Sequence, residues 1–363
     1  MEEEQSMLRE ELIKRGVPMP DASTKEDWIA LRPQIKETIL REVYGEFPHK
    51  PDAIEYKDIT QWGLEEVFMA GDADKYQISV EITYDGRKGS FPFSLAIPKA
   101  GRPVPALVAI NFESGSPYKY QPTEEIIDNG FAIAGMCYND VTKDNDDFSD
   151  NIAGLIYNGE ARTQTSPGKI AIWSWAASLV MDYLMTRPEI DHKNIAVIGH
   201  SRLGKTALVT GAFDERFAFV ISNDSGCGGA AISRGKGGES IEKIIDRFPY
   251  WFCLNYQKYV GKEDEMPIDQ NWLLSLVAPR KLMIASASED LWADPNSEYL
   301  GAFAAGEIFK LYGLSFAGPD RFPMPGDSFY EGDVTYHQRI GKHYLSRKDW
   351  NQYLPYIRTH LNK

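Results

Sequence analysis

The chain has 363 residues, 43% of them hydrophobic, enough to bury the core of one large α/β domain or of two average ones. Lys and Arg number 39 against 53 Asp and Glu, a formal net charge of −14; no basic cluster interrupts that acidity, which excludes nucleic acid as a partner, and no apolar run approaches a membrane span. The opening MEEEQSMLREELIKRG has neither the basic nor the apolar region of a secretory leader, and Cys137, Cys227 and Cys253 are too few for a disulfide framework. As written, the chain is expected in the cytoplasm, or outside the cell if a leader has been removed.

The first 60 residues read as a helical extension packed on a catalytic domain of residues 61–363. Asp27-Trp28 leads into an amphipathic stretch to Tyr44, ended by Gly45 and Pro48. Residues 65–98 carry the alternation of antiparallel strands, with a turn at Asp85-Gly86. Strands follow at 104–112 and 130–138. A helix is expected from Ser166-Pro167 to Thr186, so apolar around its circumference that Trp173 and Trp175 belong to the core. The rest alternates: strands at 195–198, 217–222, 281–287 and 333–340, helices at 203–209, within 296–313 and at 348–361. This pattern predicts one α/β domain, a mostly parallel sheet with antiparallel N-terminal strands in a three-layer sandwich. Asp144-Asn-Asp-Asp-Phe-Ser-Asp150 lacks the central Gly and distal Glu of a calcium loop and reads as a solvated loop.

Residues 195–213, IAVIGHSRLGKTALVTGAF, are the centre of the functional reading. A buried β-branched run turns at Gly199-His200-Ser201 directly into a helix. That is the nucleophile-elbow arrangement, in which a tight turn holds the serine Oγ clear of the sheet beside a helix N-terminus. The match to G-x-S-x-G is imperfect, because Leu203 stands where the second glycine belongs and Gly204 comes one place later.

A serine nucleophile needs a base, and six histidines are available. His49 and His192 lie in connectors, His360 is near the end, and His200, preceding the serine on a strand, is expected to face away from it. His337 lies within the final strand, packed or in support. His343 falls in the loop between that strand and the last helix, where this architecture carries its base. Two acids fit the order serine, acid, histidine: Asp224 and Asp290, each at the carboxyl end of a strand.

The blocks GHSRLGKTAL, NDSGCGGAAISR, FPYWFC and PIDQNWLLSLVAPRKLMIASASEDLWADP resemble the bacterial glucuronoyl esterases, over about residues 95–361. The resemblance implies an α/β-hydrolase fold without metal or cofactor, cleaving the ester between 4-O-methyl-glucuronic acid of xylan and an alcohol of lignin. Its partners would be glucuronic acid esters, glucuronoxylan or its oligosaccharides, and a monomer is expected. By position it makes Ser201 the nucleophile, His343 the base and Arg202 an oxyanion stabiliser, with Lys205, Glu239 and Trp292 gripping the uronic acid. A second oxyanion donor is expected near Phe112-Glu113. The chain departs from relatives in carrying Asp224 where many have Glu, so either Asp290 or Asp224 is the working acid. His200 and Tyr344 replace the cysteines that flank the serine and histidine in fungal members, and the loop NFESGSP differs from the expected pattern. Two rivals remain: an acetyl-xylan esterase or general carboxylesterase, and a catalytically silent carbohydrate-binding protein on a hydrolase fold.

Overall fold

The computed structural model describes residues 6–61, 68–115 and 118–362. The first positions of the expected antiparallel strands, 65–67, and two residues of the NFESGSP loop, 116–117, lie outside them.

Eleven strands form one sheet among the described residues: β1 Ala53–Asp58, β2 Ala73–Tyr84, β3 Arg87–Pro98, β4 Val104–Asn111, β5 Ala132–Cys137, β6 Ile190–His200, β7 Phe219–Asn223, β8 Lys281–Ala287, β9 Phe316–Ala317, β10 Ser328–Phe329 and β11 Val334–Arg339. The spatial order is β1-β2-β3-β5-β4-β6-β7-β8-β11-β10, with β9 paired to β11. β1, β2 and β3 are antiparallel, and β3 joins β5 antiparallel. From β5 to β11 every neighbouring pair is parallel. The β2–β3 hairpin turns at Asp85 and Gly86, both at positive φ (49° and 73°), the geometry a two-residue hairpin turn demands. β1, the outermost strand, lies in the stretch read from sequence as helix and connector, because its alternation is too exposed to stand out.

Apolar side chains fall into two clusters on the two faces of the sheet. One joins Ile195 and Val197 of β6 to the helices Lys169–Leu184, Arg202–Phe213 and Pro295–Lys310; the other joins Ala196 and Ile198 to the helix Arg347–Thr359. This period-two division of one strand between two cores makes the molecule a three-layer α/β-hydrolase domain. Leu8, Leu12, Trp28, Ile35 and Ile39 from the N-terminal helices join the first cluster. The helix Lys25–Ile39, opened by a Thr24–Asp27 capping box, continues as a π-helical turn, Leu40–Tyr44, that Gly45 ends at φ 89°.

The helix expected from Ser166-Pro167 begins at Lys169. The Gly168 N–H bonds Tyr44 O at 2.8 Å, and a Cβ on Gly168 would meet Trp251 O at 2.3 Å. Tertiary contacts thus hold the preceding backbone out of the helix. Trp173 and Trp175 are in the core.

The loop at 144–150 is solvated at Asn145, Asp146, Asp147 and Ser149, as expected, but part of it also turns inward onto Lys169. Lys169 is fully buried, and its Nζ donates to Thr142 Oγ1 (2.7 Å), Asp147 O (2.6 Å) and Asp150 Oδ1 (3.3 Å). A buried ammonium needs such partners, and the loop folds around it to supply them.

Candidate active site

β6 ends at His200, and Ser201 takes φ 60°, ψ −127°, a conformation that costs about 1–3 kcal/mol for a residue with a Cβ. The Ser201 N–H bonds Asn223 O at 2.8 Å, which locks the turn to β7. A Cβ on Gly199 would meet Leu203 O at 2.0 Å, so the strand reaches the helix so closely only with glycine there. Gly204 takes the part of the second elbow glycine: its Cβ would lie 3.0 Å from Asn223 O. Leu203, at the nominal glycine position, turns into the core.

His343 stands in the loop after β11 and half-exposes its ring. Its Nδ1 pairs with Asp290 Oδ2 at 2.6 Å, which presents Nε2 to the cleft. Burial pushes the Asp290 carboxyl up, but the hydrogen bond and charge of His343, with the Ala293 N–H, outweigh it and hold the group below the usual carboxylate range. Asp224 meets different groups. Its Oδ1 accepts the Ala287 N–H (2.6 Å) and its Oδ2 the Tyr344 N–H (3.3 Å). Burial, then the charges of Glu298, Asp290 and Asp349, raise its carboxyl well above the ordinary value. Of the two acids left open by sequence, Asp290 is the one paired with His343.

His200, expected to face away from the serine, stands beside His343, with ring centroids 4.5 Å apart. Strand alternation does turn it to the Ala196–Ile198 face. That is also the face on which the loop leading to the last helix arrives, so the two imidazoles meet. Burial and then the His343 charge lower His200 to about 3, so it is neutral, with Nδ1 2.6 Å from Asn223 Oδ1. Donor atoms of His200, Asp224 and His343 lie within 4.8 Å of one another, a spacing that could admit a cation. His337 is buried in β11, with Nδ1 2.5 Å from Ser328 Oγ.

Arg202 opens the helix Arg202–Phe213, so its own N–H lacks an intrahelical acceptor. Its guanidinium lies over Trp251, 4.8 Å from the ring centroid, and pairs with Asp144. Trp251 Nε1 holds the other Asp144 oxygen at 2.6 Å, so carboxylate, indole and guanidinium form one unit. Sequence reasoning missed Asp144; its only available signal was Lys169, an ammonium in an apolar helix that needs acidic neighbours. The second oxyanion donor is not the Phe112 N–H, which donates to Tyr118 Oη at 3.2 Å.

Lys205, one turn beyond Ser201, is buried. Its Nζ donates to Ser225 O (2.6 Å) and pairs with Glu239 Oε2 (3.3 Å), while Glu239 Oε1 accepts Trp292 Nε1 at 3.1 Å. Ser201, Arg202, Lys205, Asp224, Glu239, Asp290, Trp292 and His343 all line one cleft of about 360 Å³. Arg247, which the sequence did not flag, lines it too, with Phe248 and Trp251 of the FPYWFC block. The cleft thus joins a serine, an imidazole–carboxylate pair, fixed positive charge and a chain of sugar-sized polar and aromatic groups. Cys137, Cys227 and Cys253 are all buried thiols.

Residues 80–313 match the family "Glucuronyl esterase, fungi", a span that holds Ser201 and Asp290 and ends before His343. Carbohydrate esterase MZ0003, from an unknown prokaryotic organism, is 42% identical over 243 residues, 66% of this chain and 55% of that protein; the chain spans about half the length of that relative. A solved glucuronoyl esterase from Solibacter usitatus is 30% identical with a TM-score of 0.87, covering 95% of this chain and 98% of that one. A promiscuous CE15 esterase from a marine bacterial metagenome is also 30% identical, with a TM-score of 0.86 and coverage of 95% and 96%.

Proposed function

Since the chain belongs to the glucuronoyl esterase family, we propose that it is a serine carboxylic ester hydrolase that cleaves the ester between a (4-O-methyl-)glucuronic acid and an alcohol. The observation that carries the reading is one cleft holding Ser201 on its elbow, the 2.6 Å His343–Asp290 pair and the Lys205–Glu239–Trp292 chain. Ser201 Oγ attacks the ester carbonyl while His343 Nε2 takes its proton. Asp290 stabilises the imidazolium, and the Arg202 N–H with its guanidinium faces the oxyanion. The proton passes from His343 to the alcohol oxygen as the C–O bond breaks. Water, losing a proton to the same nitrogen, then opens the acyl-enzyme; Ser201 recovers the proton and glucuronic acid departs. Lys205 and Glu239 would bind the sugar hydroxyls, and Trp292 would pack against the ring.

Glucuronoxylan or its oligosaccharides are the proposed source of that ester. A monomer suffices, because every group named comes from one chain. A broader ester range is the second reading, favoured by the likeness to a solved esterase described as promiscuous.

The test is hydrolysis of benzyl glucuronate beside an aryl acetate and benzyl galacturonate, for the wild type and Ser201→Ala. Loss of glucuronate turnover by about 10³-fold or more in the variant is expected. Turnover of the acetate alone would remove the substrate assignment and leave the triad. Binding of uronates with no turnover of any ester would favour the silent carbohydrate-binding protein.

A further inference from the structure

We propose that Arg339 is a positioning residue for the base: its guanidinium clamps the short loop that carries His343. The inference rests on the reading of His343 as base and deepens it.

Half of the His343 side chain is in solvent, so packing does not fix it. Residues 340–344 belong to no helix or strand; Gly341, at φ 128°, is tied to the loop after β8 by the Glu289 N–H to its O (2.8 Å) and by its own N–H to Ser288 Oγ (3.3 Å), but neither bond reaches the peptide groups that flank His343. The Asp290 hydrogen bond fixes one ring nitrogen but not the backbone from which the ring hangs. Arg339 supplies what regular structure does not. It is the last residue of β11 and is 9% exposed. Its Nη2 donates to Lys342 O at 2.7 Å and to Tyr344 O at 2.6 Å, the carbonyls on either side of His343. Its Nη1 donates to Ile340 O at 3.3 Å.

The clamp is itself anchored. Arg339 Nε donates to Asp349 Oδ2 at 2.9 Å, and Asp349 is a buried residue of the capping box that opens the last helix. From the other side Tyr344 N–H meets Asp224 Oδ2 at 3.3 Å, an oxygen 4.0 Å from Arg339 Nη2. Asp224, the acid not paired with His343, thereby gains a part: with Arg339 it holds the residue after the base. Gly341 is fitted to the same arrangement, because a Cβ there would lie 2.9 Å from Arg339 Nη1. Only a planar fork with several donors can span two carbonyls and a carboxylate; an ammonium on a flexible stem cannot.

Base placement is sensitive on this scale: an error of about 1 Å costs about 10²-fold in rate. Arg339→Lys is therefore expected to lower kcat on benzyl glucuronate by about 30- to 100-fold with KM within about threefold, the split of a misplaced base rather than of lost binding. Gly341→Ala approaches the clamp from the loop side without touching the buried Arg339–Asp349 pair. It is expected to give the same split with a lower Tm, because an alanine is strained at φ 128°, and it keeps the test available if Arg339→Lys does not fold. In a His343→Ala background, neither substitution should lower the residual turnover further.

The proposal is overturned if Gly341→Ala and any folded Arg339→Lys keep kcat within threefold of the wild type. It is equally overturned if their losses recur undiminished in the His343→Ala background, which would make the role structural only. A wild type that turns over no ester refutes the esterase reading itself and this inference with it; normal wild-type turnover with unaffected variants refutes the inference alone.

Discussion

Replacing Asp290 by Asn, beside the same change at Asp224, separates the two acids that the chain order left open. Asp290 Oδ2 lies 2.6 Å from His343 Nδ1, and its carboxyl is held below the ordinary range, so it is ionised whenever the base works. The other oxygen, Oδ1, accepts the Ala293 N–H at 3.2 Å. In Asp290→Asn the amide oxygen stays with that N–H, leaving the NH₂ to face His343 Nδ1. The imidazole must then accept at Nδ1 and carry its proton on Nε2, the nitrogen that has to accept from Ser201. Tautomer reversal together with loss of the counter-charge predicts a fall of about 10⁴-fold in kcat, about 5 kcal/mol of barrier, with folding intact. At Asp224 the carboxyl is raised well above its ordinary value and accepts two backbone N–H groups. Asp224→Asn breaks no hydrogen bond to His343 Nδ1, which belongs to Asp290. It is expected to lower kcat by less than about tenfold, and to lower Tm because its NH₂ must confront an N–H donor. Steady-state kinetics on benzyl glucuronate with thermal melts of both variants decide the matter. A 10³-fold loss in Asp224→Asn beside an active Asp290→Asn would refute the reasoning.

Two further outcomes follow from the cleft and its surroundings. Lys205→Met and Trp292→Ala should cut kcat/KM for benzyl glucuronate by about 10²-fold while leaving an aryl acetate within about threefold, because the proposed function gives the groups they remove to the sugar and not to the carbonyl; equal losses on both esters would place them in the chemistry instead. Glu298 is fully buried, bonded to Gly226 N (2.8 Å) and Ser286 Oγ (2.5 Å), and burial raises it from 4.5 to about 7. A carboxyl whose folded value is raised takes up protons on folding, so its contribution is complete below about pH 4.5 and disappears as the pH climbs through 7. The wild type should therefore lose Tm between pH 5 and pH 8, and Glu298→Gln should narrow that difference; an unchanged difference would remove Glu298 as its source.

The sequence alone determined the elbow, the Asp85-Gly86 hairpin turn, the nearly all-apolar helix and the place of His343 in the loop after the final strand. Each is written in a short window, as a periodicity, a turn dipeptide or a place in chain order, and local sterics turn such windows into structure without distant help. Lys205, Glu239 and Trp292 were legible only through a family likeness, since nothing in their own neighbourhoods sets them apart from surface residues. The tertiary structure decided everything that depended on which loops meet. Asp224 and Asp290 follow the adjacent strands β7 and β8, and only the path of the loop from β11 to the last helix brings one of them, not both, to His343 Nδ1. The same loop arrives on the face to which alternation turns His200, so a residue set aside from sequence stands against the base. Asp144 reaches Arg202 across 58 residues because a buried lysine folds the acidic loop inward. Strand and helix periods specify faces, but a hydrogen bond across dozens of residues is specified by the packing of whole elements, and no window of sequence contains it.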